Sequence, residues 1–136
     1  SIKTESFVFV PEATEKLFDD ILAKKEFFGQ LSHILEKGEL DETRVILYFE
    51  GYIYEMLLFL LYSKAYGEVD SIKITGRKLL DFVVRQKASK AVKLNIKHYA
   101  KILDILSKAD LKLKSSNVGD KNAILINALM KIQSNL

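Results

Sequence analysis

Val45-Ile46-Leu47-Tyr48-Phe49-Glu50-Gly51-Tyr52-Ile53-Tyr54-Glu55-Met56-Leu57-Leu58-Phe59-Leu60-Leu61-Tyr62 is the stretch that decides the fold. Its 18 residues approach the length of a membrane-crossing helix, so that alternative comes first. Glu50 and Glu55 lie inside the run, and an acid at mid-bilayer costs about 2.5–3.5 kcal/mol on insertion scales. Gly51, the internal tyrosines and the lack of a second apolar segment of this length argue the same way. The run reads instead as the central helix of a bundle, apolar nearly all round because other helices surround it. Both glutamates are then expected at the rim or against hydrogen-bonded partners, since a lone buried carboxylate is costly.

Signals on either side extend the helical reading. Asp41 caps the central helix, with Arg44 in its first turn, and Gly67 ends it. Upstream, Phe27, Leu31, Ile34 and Leu35 predict a short amphipathic helix that Gly38 stops in a left-handed cap. Leu17, Phe18, Ile21 and Leu22 recur at helical spacing from Pro11, in the first turn, to about Lys25. Glu12 and Glu15 suit the positive end of that helix's dipole. Phe7-Val8-Phe9-Val10 is an extended lead-in or the tail of a preceding helix.

Downstream, Ile72 and Ile74 alternate too briefly to assign before Gly76. Leu79, Leu80, Phe82, Val83 and Val84 open a helix that turns strongly cationic. Asn95 caps another, with the stripe Ile96, Tyr99, Ile102, Leu103, Leu106 and Ala109. After Ser115-Ser116-Asn117, Gly119 and Asp120 open the last, carrying Ile124, Leu125, Ala128, Leu129 and Ile132. The fold expected is all-α: a single compact bundle of about six helices over residues 11–136, with residues 1–10 a lead-in. A chain starting at Ser1 rather than Met suggests a processed form or a piece cut from a longer protein.

Composition agrees. The 136 residues are 49% hydrophobic and 29% charged, as in globular domains, and 6 Gly with 1 Pro supply few turns for an all-β fold. No cysteine is present, which excludes disulfides, thiolate zinc sites, cysteine-ligated clusters and a cysteine nucleophile, and suits a cytoplasmic location. The net charge of +3 divides unevenly: residues 1–67 hold 7 Lys/Arg and 12 Asp/Glu, a net −5, and residues 68–136 hold 14 and 6, a net +8. Opposite poles favour oriented association with other subunits, or nucleic acid against the basic half.

No catalytic constellation emerges. Thr75-Gly76-Arg77-Lys78 lacks the glycines of a phosphate loop, and His33 and His98 have no ligand spacing. No cofactor or metal is expected. Asp19 and Asp20, like Asp41 and Glu42, are adjacent and point apart on a helix, so capping and solubility account for them. The basic residues Arg77, Lys78, Arg85, Lys87, Lys90, Lys93, Lys97 and Lys101 are candidates for DNA or partner contact. Lys90, Lys93, Lys97 and Lys101 would align down one helix face if Asn95 did not interrupt it. Phe82 and Tyr99, the aromatics among them, fit core stripes. Asp110 and Lys114 form an i,i+4 pair at a helix end.

Several segments resemble, in order and spacing, the C-terminal domain of the bacterial DNA polymerase III delta subunit. They are Phe82-Val83-Val84-Arg85-Gln86-Lys87, Tyr99 to Leu106, Ala109 to Ser116 and Asn122 to Ile126. In the front half, Lys16 to Leu22 and Leu31 to Glu39 resemble its first two helices. The resemblance implies a collar domain of the clamp loader, which places the sliding clamp on primed DNA. It implies other clamp-loader subunits as partners, sliding-clamp contact only through a missing N-terminal module, weak or indirect DNA contact and no membrane. ATP hydrolysis would belong to other subunits, so this domain would be no enzyme. Asp110, Lys114 and Ser115 would be its helix-end motif, structural in role. The alternative is a free-standing helical nucleic-acid-binding or adapter module using the basic half.

Overall fold

The computed structural model describes residues 10–38, 40–115 and 119–136. Phe7-Val8-Phe9 of the lead-in and Ser116-Asn117 of the last break lie outside the described residues. Among the described residues there are seven α-helices and no strand. They are α1 Glu12–Leu22, α2 Phe28–Glu36, α3 Glu42–Tyr66, α4 Ser71–Thr75, α5 Asp81–Ala91, α6 Ile96–Lys114 and α7 Lys121–Ser134.

Local chemistry sets most of the boundaries. Asp41 accepts from the Arg44 N–H at 2.9 Å and starts α3. Gly67 ends it at φ +69°, a conformation that penalises a side chain. Asp70 accepts from the N–H groups of Ile72 and Lys73, which is enough to nucleate the single turn of α4. Asn95 and His98 form a capping box: the Asn95 side chain accepts from the His98 N–H at 2.9 Å, and His98 Nδ1 accepts from the Asn95 N–H at 3.2 Å. Asp120 accepts from the Ala123 N–H and starts α7. α1 stops at Leu22, short of Lys25, because Lys24 turns to φ +62°. Gln133 of α7 then donates to the carbonyls of Ile21 and Lys25 at 3.3 and 2.7 Å, which closes that end.

α3 is the axis. It packs most extensively on α6, then on α5, and also meets α4 and α7, while α6 and α7 pack on each other and α1 lies against α2 and α7. Phe18 of α1 stacks on Phe49 of α3 with ring centroids 4.3 Å apart. Tyr99, Ile102 and Leu106 of α6 and Leu125, Leu129 and Ile132 of α7 complete the core. The Tyr99 hydroxyl donates to the buried Ala91 carbonyl at 2.6 Å, joining α6 to the end of α5.

Two expectations about burial need correction. α3 is not enclosed on all sides, because Leu47, Tyr54 and Leu61 are 56%, 47% and 41% exposed. Phe82 is also outside the core, at 53% exposed, and so is Leu80. Leu80 and Phe82 at the apolar start of α5 therefore face solvent, while Val83 and Val84 are half-buried, and α5 buries only Ala91 completely. Its apolar contact with the core runs through Val84, Ala88 and Ala91.

Asn95→Ala removes half of the capping box and is expected to lower stability by about 1 kcal/mol. Urea unfolding followed by circular dichroism measures it, and an unchanged midpoint would show that the α6 cap contributes nothing.

Candidate functional site

Glu55 lies in the apolar run of α3 and is 6% exposed. Its Oε1 accepts from Arg77 Nη2 at 2.9 Å and its Oε2 from Lys87 Nζ at 3.1 Å. One turn earlier on α3, the Tyr52 hydroxyl donates to Asp19 of α1. Lys90 of α5 donates to Asp19 at 2.8 Å, to Glu15 at 3.0 Å and to the Tyr52 hydroxyl at 3.3 Å, and lies 5.9 Å from the centre of the Tyr52 ring. Burial, then the neighbouring Asp19 carboxylate, push the Tyr52 phenol far above its ordinary pKa. Burial opposes the Lys90 charge, but the bonds to Asp19 and Glu15 outweigh it and raise the ammonium's pKa. The result is a cage of charge between α1, α3 and α5.

The cage redistributes the predicted basic face. Arg77, Lys87 and Lys90 turn inward onto acids from the first half of the chain. Lys78, Arg85, Lys93, Lys97 and Lys101 are exposed and make no ion pair among the described residues. Lys90 belongs to α5, Lys93 to the turn, and Lys97 and Lys101 to α6, so no continuous lysine stripe exists. The two charged halves thus meet partly inside the molecule, and the opposite poles are less free for partners than the sequence implies.

The remaining candidates resolve into local roles. Lys114 pairs with Asp110 at 2.9 Å at the end of α6, and Ser115 is the residue that follows the helix. His98 serves the capping box and His33 is exposed. Asp20 does more than solubilise: it is buried and accepts from Gln30 at 2.6 Å and Lys16 at 3.0 Å. Those bonds, Gln30 first, hold its carboxyl below the ordinary value. No group of three or more metal-ligating side chains occurs among the described residues.

What sequence reasoning missed is the outer face of α3. Leu47, Tyr54 and Leu61 follow one another at seven-residue spacing, two helical turns each, and so form one exposed line. Glu50 sits beside that line, half-buried, with no hydrogen-bond or ion-pair partner among the described residues. Burial, then the Asp110 charge on α6, raise its pKa, and Lys114 offsets this only in part. Exposed apolar surface in an ordered line is unusual for a helix with a bundle to pack against.

A family model matches residues 16–132, from the second turn of α1 to the last turn of α7. Its description is HP_1247_C, C-terminal domain. The chain belongs to that family. No curated protein and no solved structure matches it. This match corrects the expected membership of the DNA polymerase III delta family, since the matching model is not one of that family. The resemblance rested on apolar spacings that many helical bundles share, and the Phe82-Val83-Val84 segment central to it begins with an exposed side chain.

In this HP_1247_C domain, Glu55→Ala would leave Arg77 and Lys87 facing each other without their carboxylate. A loss of about 2 kcal/mol is expected, below the range for fully buried pairs because both cations are partly exposed. Urea titration measures it, and a loss indistinguishable from zero would show that the cage does not hold α5.

Two other carboxylates impose opposite pH dependences. Asp20 contributes stability that is full above the ordinary carboxylate range and is lost as pH falls through its lowered pKa. Glu50 has the reverse sign, favouring the fold below that range and opposing it once pH has risen past its raised pKa. Glu50→Gln should therefore raise the urea midpoint at about pH 7 and leave it unchanged near pH 3, where the carboxyl is protonated in both states. Asp20→Asn should lower the midpoint at neutral pH and converge on the wild type in acid. Curves of the three proteins that stay parallel from acid to neutral would contradict both assignments.

Proposed function

We propose that this domain is an assembly module that docks its protein onto partner subunits through the outer face of α3. The observation that carries the reading is the exposed line Leu47, Tyr54 and Leu61, on the helix that is otherwise the core of the bundle. Because these side chains are 41–56% exposed, a partner that covered them would gain about 1 kcal/mol from each. An exposed apolar line of this kind is what a contact site offers. Subunit assembly of the replication clamp loader is the specific form of this function, with the other clamp-loader subunits as partners.

The free-standing nucleic-acid-binding alternative draws on a reduced set of groups. Arg77, Lys87 and Lys90 are already bound to acids, which leaves Lys78, Arg85, Lys93, Lys97 and Lys101 to meet phosphates. These cations lie on different elements, and Phe82 is the exposed aromatic among them.

Reconstitution separates the two. The intact gene product is mixed with clamp-loader subunits from the same source and resolved by gel filtration. Co-elution is expected, and Leu47→Asp with Leu61→Asp should abolish it while the helical spectrum is kept. A DNA titration of the isolated domain should stay within the non-specific range of roughly 10⁻⁴–10⁻⁶ M at physiological salt. No co-elution, together with tight salt-sensitive DNA binding, would overturn the assembly reading.

A further inference from the structure

The line on α3 also specifies what kind of partner fits it. Leu47, Tyr54 and Leu61 are spaced about 10.5 Å apart along the axis, seven residues at 1.5 Å each. That is the repeat of a heptad seam, which a second helix matches in register, whereas an extended strand repeats on one face about every 7 Å. Gly51 lies on the same face as Leu47, one turn on, and presents no side chain beyond its backbone to an approaching helix.

Charge narrows the choice further. Glu50 lies beside the line on α3, three residues after Leu47 and four before Tyr54, and feels the charges of Asp110 and Lys114 on α6. Lys114 is held by Asp110 at 2.9 Å. One negative charge is therefore left over, on half-buried Glu50. An anionic lipid surface would be repelled there, and a purely apolar partner would bury the acid unanswered.

We infer that the outer face of α3 receives an amphipathic helix of a partner protein, laid along Leu47, Tyr54 and Leu61, with a lysine or arginine placed opposite Glu50. The inference rests on the assembly reading and adds to it the partner's shape and charge. The partner helix covers the apolar line with its own apolar seam, and its cation makes the pair that Glu50 lacks within the described residues. Binding and specificity then come from different groups: apolar contact supplies attraction, and Glu50 rejects helices with an acid at that position.

The test uses the full chain and two synthetic 21-residue helical peptides with the same leucine heptad face, one carrying Lys and the other Glu at the central flanking position. Fluorescence anisotropy reads binding. The Lys peptide is expected to bind about tenfold more tightly than the Glu peptide, and Glu50→Lys should reverse that preference. Leu47→Asp with Leu61→Asp should abolish binding of both peptides, with circular dichroism confirming the fold. If both peptides bind equally and Glu50→Lys changes nothing, the cation requirement is overturned while the assembly reading stands. If neither peptide binds, the helical occupant is overturned, and co-elution with the subunits still judges assembly by itself. Sedimentation equilibrium is the final arm. Self-association abolished by the Leu47 and Leu61 substitutions and unaffected by the peptides would identify a second copy as the occupant and overturn the inference.

Discussion

A carboxylate at 6% exposure in the most apolar helix of the chain must be answered by cations, and the positions of the neighbouring elements follow from that demand. Arg77 answers it from the turn after α4 and Lys87 from the middle of α5. Lys90, one turn further along α5, fastens the same helix to α1 through Asp19 and Glu15. α3, α6 and α7 are joined by hydrocarbon, while α5 adds ion pairs to the apolar contacts of Val84, Ala88 and Ala91. Such pairs add little net stability compared with apolar packing of the same volume, but removing one member is costly. Their effect here is to choose one placement of α5 from the many that its single fully buried residue, Ala91, would allow.

What the sequence made legible was whatever is decided within a few residues. Asp41, Asn95 and Asp120 mark helix starts because a cap reaches only to its own N2 or N3 amide. Gly38 and Gly67 mark stops because the left-handed conformation is a property of one residue. The facing of α3 was not legible, since a helix apolar on every side has no periodic signal to tell its inner face from its outer one. The cage was not legible either. Lys90 shows its charge in the sequence, but Asp19 and Glu15 lie 71 and 75 residues away, and nothing local distinguishes a lysine bound for a cage from one bound for solvent.

Phe82 illustrates the same limit from the other side. An apolar triplet at a helix start reads as core, yet here Phe82 is exposed while Val83 and Val84 are half-buried. The resemblance to another family failed for a related reason: spacings of apolar residues report helicity well and ancestry poorly. The outer face of α3 combines both lessons. Its side chains looked like core and are surface, and the acid beside them is held at a disadvantage that local stability alone would not favour.

The bond from Gln133 to the end of α1 has a consequence for the order in which the chain can be completed. Its two acceptors, Ile21 and Lys25, precede the donor by 112 and 108 residues. A chain made from its N-terminus exposes α1 long before α7 exists. The Ile21 carbonyl already accepts from the Lys24 N–H, but the Lys25 carbonyl just past α1 must wait for Gln133. Central packing of α3 on α6 can form meanwhile. The end of the first helix gains its two bonds to Gln133 only once the final turn of α7 exists, and they close a loop that spans most of this domain.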